Sequence, residues 1–214
     1  MSRILLAILL TVTTLTPLSS LAFGLPKLSD VVGSSDKANT PDLTGTQDQL
    51  VKQYVSAGKS VLDGNSKMAE AVGLAKDAAA ARASSDSLSE GATKSALSDA
   101  DKTSSDTSKA VAEALKNSSG LDAPAKVKFV SGIVSLAQGL SKYVGMTSLF
   151  GSFTQGLSNV SPLMLPKLQS GAYIVSTTPA SIKNLSSALS NAISYAKSHD
   201  IAVPTDATDA LSKL

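Results

Sequence analysis

The chain contains no cysteine, no tryptophan, one histidine and only three glutamates, Glu70, Glu90 and Glu113. Each scarcity removes a class of chemistry. Without cysteine there is no disulfide, no thiolate nucleophile and no cysteine-ligated metal, so the core alone must hold the fold. A single histidine, His199, excludes paired-histidine metal centres and leaves one imidazole for any catalytic triad. The E-x-x-H pairs that build di-iron bundles are missing, as are the glycine-rich loops that cradle phosphates. Aromatics make up 4% of the chain, too few for platforms that stack bases or sugars. Nineteen basic residues face seventeen acidic ones, a balance that lacks the electrostatic footprint of a nucleic-acid binder. No cofactor is implied.

Strand signals are also absent. No long β-branched run alternates, and no Asn-Gly or Asp-Gly joins two strand-like segments. No repeat of fixed length is visible, which argues against a solenoid. The fold class is therefore all-α: an antiparallel bundle of about five helices, with a long N-terminal helical hairpin and a more apolar C-terminal half.

What is present begins with an export signal over residues 1–22. Arg3 supplies a basic start, Ile4 to Val12 an apolar run too short to span a bilayer, and Ser20-Leu21-Ala22 a small-x-small site that places cleavage after Ala22. A cysteine-free exported chain fits a bacterial periplasm or secretion from it. Residues 23–45 mix Gly, Pro, Ser and Asn and read as a tether. Residues 46–214 then form one helical domain.

Within it, residues 46–120 read as an Ala/Ser-rich hairpin. Its first helix is capped at Thr46 by a T-x-x-Q box and carries Leu50, Tyr54, Val61, Met68, Val72, Ala75 and Ala79 on one stripe, ending near Ala78–Ala83. Asn65 sits on that stripe, where an interior amide usually fixes register between helices and otherwise offers a ligand contact. The second helix starts at the Ser87-Leu88-Ser89-Glu90 capping box. Its middle, Ser98 to Lys109, has no large apolar residue and is expected to be the least ordered part of the fold.

The clearest helical signal is Asp122 to Tyr143, within the apolar helices of residues 121–200. Phe129, Ile133, Leu136, Leu140 and Tyr143 recur at steps of four and three, and Val130, Val134, Ala137 and Val144 widen the apolar arc. Lys128, Ser131, Ser135, Gln138 and Lys142 fill the water-facing side. Gly132 and Gly139 border the arc, and their helix-propensity cost of about 1 kcal/mol each points to close approach of a neighbouring backbone. A broken helix follows. Pro162 and Pro166 open the next, with Leu163, Leu165, Leu168, Tyr173 and Ile174 facing the core, and Thr178-Pro179 restarts the chain as another. Residues 201–214 form a tail with one short helix.

Candidate chemistry is thin. His199 at a helix end, next to Asp200, reads as a capping imidazole, and a hydrolase using it as base ranks last among the functional readings. Asp99, Asp101 and Asp106 lack the spacing of a calcium loop. The residues best placed for close packing or for lining a ligand are Gly132, Gly139, Leu136, Leu140, Tyr143 and Asn65. The leading expectation is a non-enzymatic bundle that binds another envelope component, most simply an envelope protein. The alternative is a bundle that holds lipid or a lipophilic ligand, or perturbs membranes.

Overall fold

A computed structural model describes residues 42–214, all of whose regular elements are helical. The export signal and residues 23–41 of the tether lie outside the described residues. The first helix, α1 (Leu43–Ala71), begins earlier than its sequence suggests because Asp42 is the cap: its Oδ1 accepts the Gly45 N–H at 3.0 Å. Thr46 lies one turn inside, where its hydroxyl donates to the Asp42 carbonyl at 2.8 Å. Residues 43–45 thus belong to the helix rather than the tether.

α1 also ends earlier. The Leu74 N–H donates to the Ala69 carbonyl at 2.8 Å, the Gly73 N–H donates to Glu70 at 3.2 Å, and Gly73 adopts a φ of +80°. That pattern closes a helix through a left-handed glycine. The expected continuation to Ala78–Ala83 is overturned there, and Ala75 and Ala79 become exposed residues of a separate helix, α2 (Ala75–Ser87). The Ser87–Glu90 box caps nothing. Leu88 is 4% exposed and lies over Gly58 of α1, and burying it outweighs a cap worth about 1 kcal/mol. Helix α3 (Lys94–Lys116) starts instead at Thr93, whose Oγ1 accepts the Ala96 N–H at 3.3 Å. It runs unbroken through residues 98–109, contrary to the low order expected of them.

α4 (Ala123–Met146) matches its sequence signal. Asp122 accepts the Ala125 N–H at 2.8 Å, Pro124 occupies the first turn, and Phe129, Ile133, Leu136, Leu140 and Tyr143 are all buried. Each such side chain contributes about 1.5–3 kcal/mol of burial. Ser135 departs from its expected water-facing position. It is 6% exposed and donates to Asp63 at 2.7 Å, beside Lys67.

After a 3₁₀ turn (Thr147–Leu149) comes the short α5 (Phe150–Leu157), then a loop and a second 3₁₀ turn (Leu165–Leu168). Leu163 and Leu165 do not face the core; they are 85% and 48% exposed. Leu168 and Ile174 are buried as expected. α6 (Gln169–Ser198) passes through Thr178-Pro179 without restarting. The proline ring is exposed, while Thr178 is buried and donates its hydroxyl to the Ile174 carbonyl at 2.7 Å. Packing of Ile174 and Leu185 on either side holds one helix across the missing N–H. α7 (Thr205–Ser212) closes the chain against α4 through Ala207 and Ala210.

α1 is the hub, touching α2, α3, α4, α5 and α6, with its largest interface on α4. That pair is antiparallel: Gly64 meets Gly132 and Leu136, Ala57 and Val61 meet Gly139, and Lys128 reaches Glu70. A Cβ on Gly132 would lie 3.0 Å from the Gly64 carbonyl oxygen and 3.2 Å from the Met68 nitrogen; on Gly139 it would lie 3.2 Å from the Val61 nitrogen. The contact is backbone against backbone, so it is available only to glycine. α3 and α6 run parallel to α1, since Asn65 pairs with Ser104 and Ser108, and Gln47 with Gly171. α2 and α4 run the other way, giving an up-down-up-down-up order.

Candidate functional site

On α3 the residues Leu97, Asp101, Ser104, Ser108, Val111 and Leu115 follow one another at alternating steps of four and three. This is a core stripe by spacing, yet its middle three positions are polar. Each finds a polar partner. Asn65, 2% exposed, donates to the Ser104 carbonyl and hydroxyl at 3.0 Å and accepts from the Ser108 hydroxyl at 3.0 Å. Its amide is thereby committed to fixing α1 against α3.

One turn away, Asp101 lies between three tyrosines from three helices. Its Oδ2 accepts the Tyr54 hydroxyl at 2.5 Å and the Tyr173 hydroxyl at 2.6 Å. The Tyr54 ring meets those of Tyr143 and Tyr173 edge-on, with centroids 5.1 and 6.4 Å away. Burial raises the Asp101 carboxyl above its ordinary range, outweighing the two hydroxyls that favour its anion. The same burial, with the neighbouring carboxylate, holds Tyr54, Tyr143 and Tyr173 far above the usual tyrosine range, so all three remain neutral donors at any physiological pH.

This cluster floors a groove of about 390 Å³ between α3 and α6. Val61, Tyr143, Asp101 and Leu185 form its base. Ser104, Ser105 and Ser108 line one wall, and Ser181, Asn184, Ser187 and Asn191 the other, with Lys109 at the rim. The groove exists because both facing surfaces carry short side chains. Chemically it offers hydroxyls and carboxamides that both donate and accept, over an apolar base with one carboxylate. A wider depression of about 760 Å³ near Asp48, Glu90, Lys94 and Lys167 has mixed charge at its mouth and no such buried cluster beneath it.

The other residues singled out by sequence are placed as follows. Gly132 and Gly139 are at the α1–α4 contact, and Leu136 and Leu140 are in the core; Tyr143 alone reaches the groove. Leu136 and Asn65 also border a small void of about 30 Å³, room for a single water at most. His199 stacks on Tyr195 with centroids 3.9 Å apart, its Nδ1 is 2.9 Å from the Tyr195 carbonyl oxygen and 3.0 Å from the Ser198 hydroxyl. That is the geometry of a helix cap. Asp101 turns to Tyr54 and Tyr173, while Asp99 and Asp106 are exposed two turns apart on another face of α3, with Asp106 engaged by Lys102 at 2.6 Å, and the described residues contain no group of three His, Asp or Glu side chains able to hold a metal.

Sequence reasoning missed Asp101, Tyr54 and Tyr173 as a unit. The usable signal was the unbroken four-three spacing of α3 across its polar middle. No family model, no curated protein and no solved structure matches the chain.

Proposed function

We propose that the protein is an exported, non-enzymatic binding module that takes an extended peptide segment of another envelope protein into the α3–α6 groove. The observation that carries this reading is the groove's lining: short hydroxyl and amide side chains on both walls above Tyr143, Asp101 and Leu185. An extended peptide carries one donor and one acceptor per residue and needs matching groups along its length. From Asp101 to Ala112 the α3 wall is about 16 Å long at 1.5 Å per residue, room for about five extended residues at 3.3 Å each. Small apolar side chains would rest on Val61, Leu185 and Ala188. The poverty in tryptophan and tyrosine on this lining favours a peptide over a sugar chain.

The test is site-specific photo-crosslinking from Ser187, an exposed groove residue, and from Ser176, an exposed α6 residue outside it. The expected result is an adduct to a defined peptide of one envelope protein from position 187, absent from position 176 and abolished by Ala188→Trp in a variant that keeps its helical circular dichroism. Equal adducts at both positions, or an adduct that survives Ala188→Trp, would remove the groove from consideration.

A further inference from the structure

Asp101 is the one charged side chain on the groove floor, and its two oxygens are used unequally. Oδ2 accepts both the Tyr54 and the Tyr173 hydroxyl, at 2.5 and 2.6 Å, while Oδ1 accepts no hydrogen bond. Among the described residues every fully buried side-chain polar atom has a partner, so Oδ1 is open to solvent, on the side of the groove that Asp101 lines. The other space it borders, a void of about 10 Å³ beside Tyr54, Gly58 and Leu97, has room for one water at most.

No cation of the chain compensates this carboxylate. Asp101 belongs to none of the ion pairs among the described residues, and burial and the two hydroxyls set its carboxyl with no lysine or arginine contributing. Lys109, at the groove rim, lies two turns farther along α3, about 12 Å at 1.5 Å per residue. A carboxylate drawn this far out of water is ordinarily paired with a positive charge. Here the partner is missing on the side that faces the groove.

We infer that the groove floor is a subsite for a primary ammonium group, the lysine side chain of the segment bound there, and that Asp101 selects it through Oδ1. The inference deepens the groove reading and rests on it. An ammonium is a point charge and needs one acceptor oxygen in line, which is what Oδ1 offers. A guanidinium pairs best with both oxygens of a carboxylate, and Oδ2 is already occupied by two tyrosines. A divalent cation needs several oxygen ligands, usually more than one of them anionic, and the lining holds no second carboxylate. The other ammonium hydrogens meet hydroxyl oxygens on both walls. Ser104 Oγ accepts the Asn65 amide and keeps a lone pair, and Ser181 Oγ donates to the Thr177 carbonyl at 3.2 Å, leaving its own lone pairs free. Val61 and Leu185 at the base suit the four-carbon stem of a lysine.

The test titrates the isotope-labelled exported chain with three capped pentapeptides, alanine at four positions and lysine, arginine or norleucine at the centre, and with n-butylammonium as the bare head group. Amide signals of Ser104, Ser181 and Asn184 report the groove, and that of Ser176 reports the surface outside it. The lysine peptide should shift the groove signals with a Kd at least fivefold below those of the other two, and n-butylammonium should shift Ser104 and Ser181. Asp101→Asn, which keeps an acceptor for both tyrosines, should bring the three peptides to about the same Kd. Equal affinity of the lysine and norleucine peptides for the native chain, an arginine peptide as tight as the lysine one, or a lysine preference that survives Asp101→Asn would each overturn the ammonium subsite and leave the groove reading standing. Shifts with n-butylammonium and with no peptide would overturn the lysine source together with the peptide reading, and assign the subsite to a small amine. No groove shift with any probe would overturn both.

Discussion

At the scale of single residues, Asp101 and Glu70 make opposite contributions to stability as pH changes. Burial raises the Asp101 carboxyl above its ordinary value near 3.8, so between the unfolded and folded values the native state holds the proton more tightly. Its stabilising contribution is fully present below the unfolded value and declines as pH rises through that window. Glu70 is held below its ordinary 4.5 by Lys128 and Arg82, so its contribution is present above that value and lost as pH falls. Asp101→Asn keeps an acceptor for Tyr54 and Tyr173 without the charge. In urea unfolding followed from pH 3 to pH 7, the variant should gain on the native chain as pH rises; a constant difference would show that the buried carboxylate is not destabilising. Neither residue was legible as a site. Asn65 and Tyr143 stood out in the sequence, because one amide and one ring contrast with apolar stripes, whereas a serine or an aspartate in a polar run gives no contrast until its partners on other helices are known.

At the scale of elements, caps and stripes were readable where packing agrees with local preference. Asp122 and Pro124 start α4 as their chemistry dictates, and the four-three spacing of Phe129 to Tyr143 is the buried face. Misreadings fall where the two conflict. Gly73 stops α1 although the apolar stripe continues past it to Ala75 and Ala79, Leu88 pulls the chain off the Ser87 cap, and Pro179 is absorbed into α6. The last case gives a direct test. An interior proline costs a helix about 3 kcal/mol in intrinsic preference, and Pro179 leaves the Val175 carbonyl without its helical N–H donor. Pro179→Ala restores an N–H that can reach the Val175 carbonyl, at an exposed position where no packing is lost. Thermal unfolding should show a stabilised variant, by about 1 kcal/mol or more. A loss of stability would mean that the proline's fixed φ limits the unfolded chain more than it strains the helix.

At the scale of the whole molecule, the helix with the strongest apolar pattern is not the one with the most neighbours. α4 buries one broad face, but α1 contacts five helices, and its glycines, Asn65 and Ser66 serve close approach and hydrogen bonding that hydropathy does not register. This arrangement predicts an order of opening. Exposing the centre of α1, from Tyr54 to Ala69, requires separating α2, α3, α4 and α6 together, so its amides should exchange only through global unfolding. The α4 amides opposite, Phe129 to Tyr143, should exchange with the same free energy because Gly64, Gly132 and Gly139 leave no slack for the pair to part. α5 and the 158–166 loop border only the first turns of α1 and the start of α6, and should exchange orders of magnitude faster through local opening. Hydrogen exchange followed by mass spectrometry under native conditions distinguishes this from a bundle organised on α4. If α1 amides exchanged ahead of those in α4, the hub would be misassigned. If α5 were as slow as α1, it would belong to the cooperative core, and this end of the bundle would not open by itself.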